Sequence, residues 1–180
     1  HMPSRRQRQM CIRDSGMALS TEKNTDRLFE MILEEAKNIT QADGRTLYSV
    51  NKDGDLDFEI LRNDSMNTIM GGTSGVEIPY YPVHLWLDDK TPNKKNVSAY
   101  VALTGKTVNI KDAYKEEGFD FEGTKNFDKK SGYHSKSFLT VPLKNHENEI
   151  IGVMQLINAT NDKGEVISFN HEMQEQVESL

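Results

Sequence analysis

Few side chains in this sequence stand where they could do chemistry, and the most telling is Gln155. It is the only polar side chain in the 150–157 run Ile-Ile-Gly-Val-Met-Gln-Leu-Ile, where a buried amide without partners costs roughly 1–3 kcal/mol. Two readings fit it: a satisfied structural glutamine on a sheet face, or a polar anchor on a pocket floor, facing the same side as Ile151, Val153 and Ile157. Asp128, Ser131 and Ser135 form a second polar group around Gly132, just before an apolar stretch. Turn chemistry explains each of them singly. Gathered above a sheet, they would instead ring a small-molecule pocket, with Phe121 or Phe127 as a stacking surface for a planar ligand.

Other chemistries fail on spacing. The 104–107 run Thr-Gly-Lys-Thr ends like a phosphate-binding loop, but Tyr100 stands where that motif needs glycine, and a helix precedes it where a strand is required. Gly105 reads as a helix cap. The 71–75 run Gly-Gly-Thr-Ser-Gly has no helix N-terminus to aim at an anion and reads as a flexible loop. His84, His134, His146 and His171 lack metal-ligand spacing, and no nucleophile elbow or triad context is present. Neither a metal centre nor catalysis by this chain is expected.

The bulk composition bounds the class of protein. At 180 residues, with 36% hydrophobic and 28% charged side chains, the chain is one polar but foldable domain. No apolar run approaches the roughly 18 residues of a membrane span, so a soluble protein without membrane insertion is expected. The net charge is -6, and Arg5, Arg6, Arg8 and Arg13 offset part of it near the start, which leaves a still more acidic body. That argues against a nucleic-acid partner. Cys11 is the single cysteine, so no disulfide framework can be built within one chain, a thiol-attached pigment in the body is disfavoured, and a reducing, cytoplasmic location is expected. His1 and Met2 read as a cloning remnant, residues 1–16 as a non-native leader, and 17–24 as a linker.

Elements able to position the polar groups follow from periodicity. Leu28, Ile32, Ala36 and Ile39 predict an amphipathic helix over 25–42, with Thr25 as its N-cap and Gly44 just past its end. Leu47, Tyr48 and Val50, a 51–54 turn, and then Leu56, Phe58 and Ile60 alternating with acids predict a β-hairpin. Residues 64–95 show little periodicity and are expected to be a long lid or side-wall. A short helix over 96–104, a strand around Val108 and Ile110, an irregular Phe-rich 111–130 region ending in a helical turn, and a hairpin of 138–143 with 150–157 follow. The second strand of that hairpin is apolar almost throughout, so it should be central. Val166 and Ile167 make a last short strand. Met173, Val177 and Leu180 begin a helical seam, as expected of a module cut from a longer protein.

Three segments carry a resemblance: 104–114 (Thr-Gly-Lys-Thr-Val-Asn-Ile-Lys-Asp-Ala-Tyr), 131–145 (Ser-Gly-Tyr-His-Ser-Lys-Ser-Phe-Leu-Thr-Val-Pro-Leu-Lys-Asn) and 150–158 (Ile-Ile-Gly-Val-Met-Gln-Leu-Ile-Asn). They are similar to the second half of a GAF domain, a small ligand-sensing module, and the similarity extends over about 25–169. The 109–114 element and the 144–152 hairpin resemble the subgroup found in cyclic-nucleotide phosphodiesterases and in bacterial cyclases and HD-type phosphohydrolases. The resemblance implies an α+β fold, an α/β/α sandwich, with a central antiparallel sheet of about six strands. Its terminal helices lie on one face, and a ligand pocket sits under short helices and loops on the other. Family contacts to a cyclic nucleotide map onto Val97, Ser98, Asp128, Ser131, Ser135 and Gln155, with Asn63 a weaker match.

The resemblance has departures. Asn158 and Phe169 keep the ends of the subgroup's Asn-Lys-Phe-Asp-Glu signature, but Ala159 replaces its lysine, and Met173 and Gln174 replace its acidic pair. The lysine–aspartate bridge of the family cannot form, and the 114–128 segment is longer than in nucleotide binders. The resemblance therefore implies a regulatory sensor over 25–169, with a cyclic nucleotide or another small planar ligand as the candidate cofactor. It further implies residues 170–180 as a truncated signalling helix and a C-terminal effector in a larger bacterial-type signalling protein. The apolar stripes Leu28, Ile32 and Ile39 and Met173, Val177 and Leu180 point to a homodimer through the terminal helices, the alternative being a monomer whose stripes both pack on its own sheet. A ligand-free dimerisation scaffold and a haem or redox sensor are the alternatives.

Overall fold

The structure, a computed structural model, describes residues 22–180; the expected leader at 1–16 lies outside them, as does most of the 17–24 linker. Six strands form one antiparallel sheet: β1 (Gly44–Val50), β2 (Leu56–Asn63), β3 (Thr68–Gly71), β4 (Val108–Ile110), β5 (Phe138–Lys144) and β6 (Ile150–Ile157). Their order is β3-β2-β1-β6-β5-β4, so β6 is central, as its apolar run demands. Strand alternation divides the side chains between two cores. Leu47, Ile60, Leu139, Val141, Met154 and Leu156 pack against Leu33 and Ala36 of helix α1 (Glu22–Thr40) and Val177 of the last helix. Tyr48, Leu56, Phe138 and Val153 pack against Val97 and Val101 of helix α2 (Val97–Thr104), with Phe121 at the entry of helix α3 (Glu122–Ser131). Helix, sheet and helix thus make the α/β/α sandwich that the resemblance implies.

The connections are built from one repeated turn. Asn51, Asn145 and Asn161 each use Oδ1 to accept from the backbone N–H two and four residues on, and each turn carries a left-handed residue at Gly54, Asn148 or Gly164. The last of these joins the short strands β7 (Ala159–Thr160) and β8 (Val166–Ile167). In the first turn Asp55 is diverted. Its carboxylate meets His84 Nδ1 at 2.9 Å and accepts from the Leu85 N–H at 3.1 Å, and these bonds hold its pKa below the usual carboxylate value. They fasten the 83–85 segment over β2, where Val83 bridges to Leu56.

Helix α1 already runs at Glu22, so Thr25 lies inside it rather than capping it, and its end is turned by Gln41 at φ 55, not by Gly44, which opens β1. The 64–95 region is not loop throughout. It contains the edge strand β3, whose Met70 carbonyl accepts from Arg62 Nη1 at 2.6 Å while Arg62 Nη2 meets Glu30 of α1 at 2.9 Å. Helix α4 (His171–Glu178), capped by Asn170, closes the chain. Where the family's ion pair would stand, Ala159 is fully buried, and Asn109 Nδ2 donates to Phe169 O at 3.0 Å and Gln174 Oε1 at 3.1 Å.

Asn158 joins these layers. It is 2% exposed and sits at φ 61, a left-handed conformation that asparagine tolerates better than most residues. Its Oδ1 accepts from Lys136 N at 2.8 Å and Ser137 N at 3.1 Å, and its Nδ2 donates to His134 O at 2.8 Å and the Tyr133 hydroxyl at 3.1 Å. Its backbone N–H donates to Ser137 O, and its carbonyl accepts from Asp43 N. Asn158→Ala strands one buried and two part-buried backbone groups at a strained φ and is expected to cost about 3 kcal/mol or more in urea unfolding. A loss below about 1 kcal/mol would contradict this role.

Candidate functional site

The α2 face of the sheet carries one polar row in an apolar field. Thr46, Gln155 and Thr140 stand directly opposite one another on β1, β6 and β5, so their side chains share a face with Tyr48 and Val153. Gln155 Oε1 accepts from Thr140 Oγ1 at 3.1 Å and from Ser98 Oγ of α2 at 3.3 Å. Burial pushes the pKa of the Tyr48 phenol up, and Ser98 beside it partly offsets this by lowering it. Asn96 caps α2 by accepting from Ala99 N at 3.0 Å, and Gly105 ends it in the left-handed conformation. These two local signals aim Ser98 at the sheet.

The other residues expected at the site divide into separate groups. Val97 is buried in the α2-side core beside Ser98. Asp128 and Ser135 are brought together: the carboxylate, 4% exposed, accepts from Ser135 N and Oγ at 2.8 Å each and from the Tyr114 hydroxyl at 2.7 Å. Ser131 is exposed and bonds only locally, donating to Phe127 O at 2.8 Å. Phe127 is 42% exposed, whereas Phe121 is buried on Phe138 at 5.3 Å between ring centroids. Asn63 lies at the end of β2, accepting from Met66 N at 3.1 Å. A surface cleft of about 300 Å³ opens between Asn93, Lys95 and Asn96 at the foot of α2 and Asp120, Gly123 and Thr124 at the start of α3. Among the described residues no group of three His, Cys, Asp or Glu could hold a metal ion, and no helix is long and apolar enough to cross a membrane.

Sequence reasoning missed Thr46, Tyr48 and Thr140. The alternation of β1 places Thr46 and Tyr48 on one face, but only the register of β1 and β5 against β6 brings the two threonines to Gln155. It also missed the pairing of the Tyr133 hydroxyl, which donates to Asp43 Oδ2 at 2.7 Å.

The model of the GAF domain family matches residues 24–180. The chain belongs to the GAF family. Over 83 residues, 46% of the chain, this GAF domain is 42% identical to the dual 3',5'-cyclic-AMP and -GMP phosphodiesterase 11A of Takifugu rubripes, and that match takes in 9% of the relative. Over 65 residues, 36% of the chain, it is 43% identical to the cGMP-specific 3',5'-cyclic phosphodiesterase of Drosophila melanogaster, covering 6% of that protein. The likeness supports the phosphodiesterase-like subgroup of GAF domains. In fold it resembles the PixJ GAF domain of Thermosynechococcus elongatus in its blue-light-absorbing form, with a TM-score of 0.57 at 12% identity over 90% of this chain and 84% of that one. It also resembles the GAF domain of an Acinetobacter phosphoenolpyruvate-protein phosphotransferase, with a TM-score of 0.51 at 13% identity over 89% and 93%. Domains of this family are regulatory sensors rather than catalysts.

Burial, followed by the hydrogen bond to Asp43 and the charge of that carboxylate, raises the Tyr133 pKa well above the ordinary phenol value. A raised folded pKa contributes stability that is complete below the unfolded value of about 10 and is lost as pH rises beyond it. The GAF domain is therefore expected to lose stability from about pH 10 upward, and Tyr133→Phe to lose less over that interval while being roughly 1–3 kcal/mol weaker at pH 7. Urea midpoints at both pH values check it; identical alkaline slopes would contradict it.

Proposed function

We propose that this GAF domain is the small-molecule-sensing part of a larger bacterial-type cytoplasmic signalling protein. It takes a small planar ligand between α2 and the sheet and relays its presence through α1 and α4 to a C-terminal effector, such as an HD-type phosphohydrolase or a nucleotide cyclase. The observation that carries the reading is the Ser98–Gln155–Thr140 group. A folded core has no need of a half-buried amide between a strand and a short roof helix, whereas a recognition floor does. The relatives' named substrates are cyclic nucleotides, which makes a cyclic purine nucleotide the first ligand to try. Val97, Ser98 and Gln155 are the contacts we assign to it, with Asp128 and Ser135 holding the adjoining α3 wall.

A homodimer through the terminal helices would rest on α1. Val177 and Met173 of α4 pack on the domain's own core, whereas Leu28 and Met31 of α1 are 36% and 67% exposed. Val177→Glu would thus damage the fold, and Met31→Glu is the substitution that addresses association. Met31→Glu is expected to turn a dimer into a monomer in sedimentation at micromolar concentration; a dimer that survives it excludes α1 as the seam.

Calorimetry with cAMP and cGMP tests the sensing role. Saturable binding is expected, and Gln155→Leu is expected to weaken it by roughly 1–3 kcal/mol through loss of a buried hydrogen bond. Absence of heat with both nucleotides defeats the cyclic-nucleotide reading, and unchanged affinity removes Gln155 from the site.

A further inference from the structure

The exposed side of α1 is one stripe with an ordered charge pattern. Leu33 and Ala36 are buried in the core, Phe29, Ile32 and Ile39 pack against it, and Glu30 and Lys37 on the flanks are spent on Arg62 and Asp64. Over residues 25–40 the side chains left exposed are Arg27, Leu28, Met31, Glu34, Glu35 and Asn38. At about 100° per residue all six fall within roughly 60° of Met31. Met31, 67% exposed, and Leu28 give the stripe an apolar centre. Arg27, Glu34 and Glu35 make no ion pair or side-chain hydrogen bond among the described residues.

The stripe therefore has a cation on one side of Met31 and two carboxylates on the other, a pattern complementary to its own reverse. Laid antiparallel about a two-fold axis at Met31, it sets Arg27 and the partner's Glu34 on the same flank, within about 2 Å of each other along the helix axis, and symmetry makes this contact twice. Laid parallel, it sets Glu34 beside the partner's Glu35, again twice, and leaves both copies of Arg27 without an acid. Opposite charges flanking an apolar helix seam fix its orientation, and like charges set side by side reject the alternative.

We propose that α1 docks on a second copy of this chain in the antiparallel orientation, with Met31 against the partner's Met31 at the two-fold axis and an Arg27–Glu34 ion pair on either side. The inference rests on the α1 homodimer described above and adds its direction. It leaves α2 and the polar row uncovered, because these lie on the opposite face of the sheet.

Thiol cross-linking of the full chain tests it, in a Cys11→Ser background so that only introduced thiols react. A disulfide needs Cα atoms within about 7 Å. Met31→Cys is expected to cross-link as a dimer, and an equal mixture of Arg27→Cys and Glu34→Cys to give the mixed dimer. Asn38→Cys is expected to stay uncross-linked, since antiparallel pairing sets the two copies of residue 38 roughly 20 Å apart along the axis. Cross-linking through Asn38→Cys, or failure of the mixed pair where Met31→Cys succeeds, overturns the direction while the α1 homodimer stands. No cross-link with any of these variants removes the homodimer and this proposal with it. Sedimentation supplies a second check at exposed positions that the fold does not use. Arg27→Glu is expected to weaken dimerisation about fivefold or more, and Arg27→Glu combined with Glu34→Arg to restore it; a double variant no tighter than the single one overturns the pairing.

Discussion

The α2 face depends on how Asn158 is satisfied. One amide side chain gathers the 134–137 backbone and the Tyr133 hydroxyl, while its own backbone reaches back to Asp43 and Ser137. Those bonds fix where the chain enters β5, and the entry point sets Phe138 opposite Ile157 and Thr140 opposite Gln155. A slip of one residue would send Thr140 to the α1 face and Leu139 or Val141 to the α2 face. The polar row exists because the register is pinned at its end.

The same residue links the two layers. Tyr133, held by Asn158, donates to Asp43, which lies between the end of α1 and β1. Two residues on, Ser135 is bound to Asp128 of α3. Gly132, at φ 79, makes the turn between the two possible, since a β-carbon is disfavoured in that conformation. Hydrogen bonds therefore run from α3 on the α2 side to the exit of α1 on the other side. Gly152 sets the remaining spacing: a β-carbon there would collide with the Tyr48 carbonyl, so only glycine lets β6 approach β1 closely enough to place Tyr48 under Ser98.

Much of this was legible in the sequence where the signals are local. The apolar run of β6, the asparagine turns of the hairpins, Asn96 before α2 and Gly105 after it each point to their element without help from distant contacts. β3 was hidden because it is a four-residue edge strand ending in consecutive glycines and held by Arg62 rather than by its own pattern. Ser98 and Gln155 could be singled out as polar groups on apolar elements. Thr46 and Thr140 could not, since a threonine in a strand is ordinary and only cross-strand register makes these two neighbours of an amide. Ser131 shows the opposite failure: it belongs to the resembling motif, yet the last turn of α3 points it to solvent.

The central claim is that the row beneath α2 is a ligand floor rather than a buried irregularity of the core. A crystal structure of the domain grown with millimolar cGMP addresses it directly. The expected result is ligand density between α2 and the sheet, in contact with Ser98 and Gln155 and with Phe121 displaced from Phe138. Phe121 and Phe138 still packed together, with Gln155 and Thr46 sealed under α2 and no ligand beside them, would contradict it.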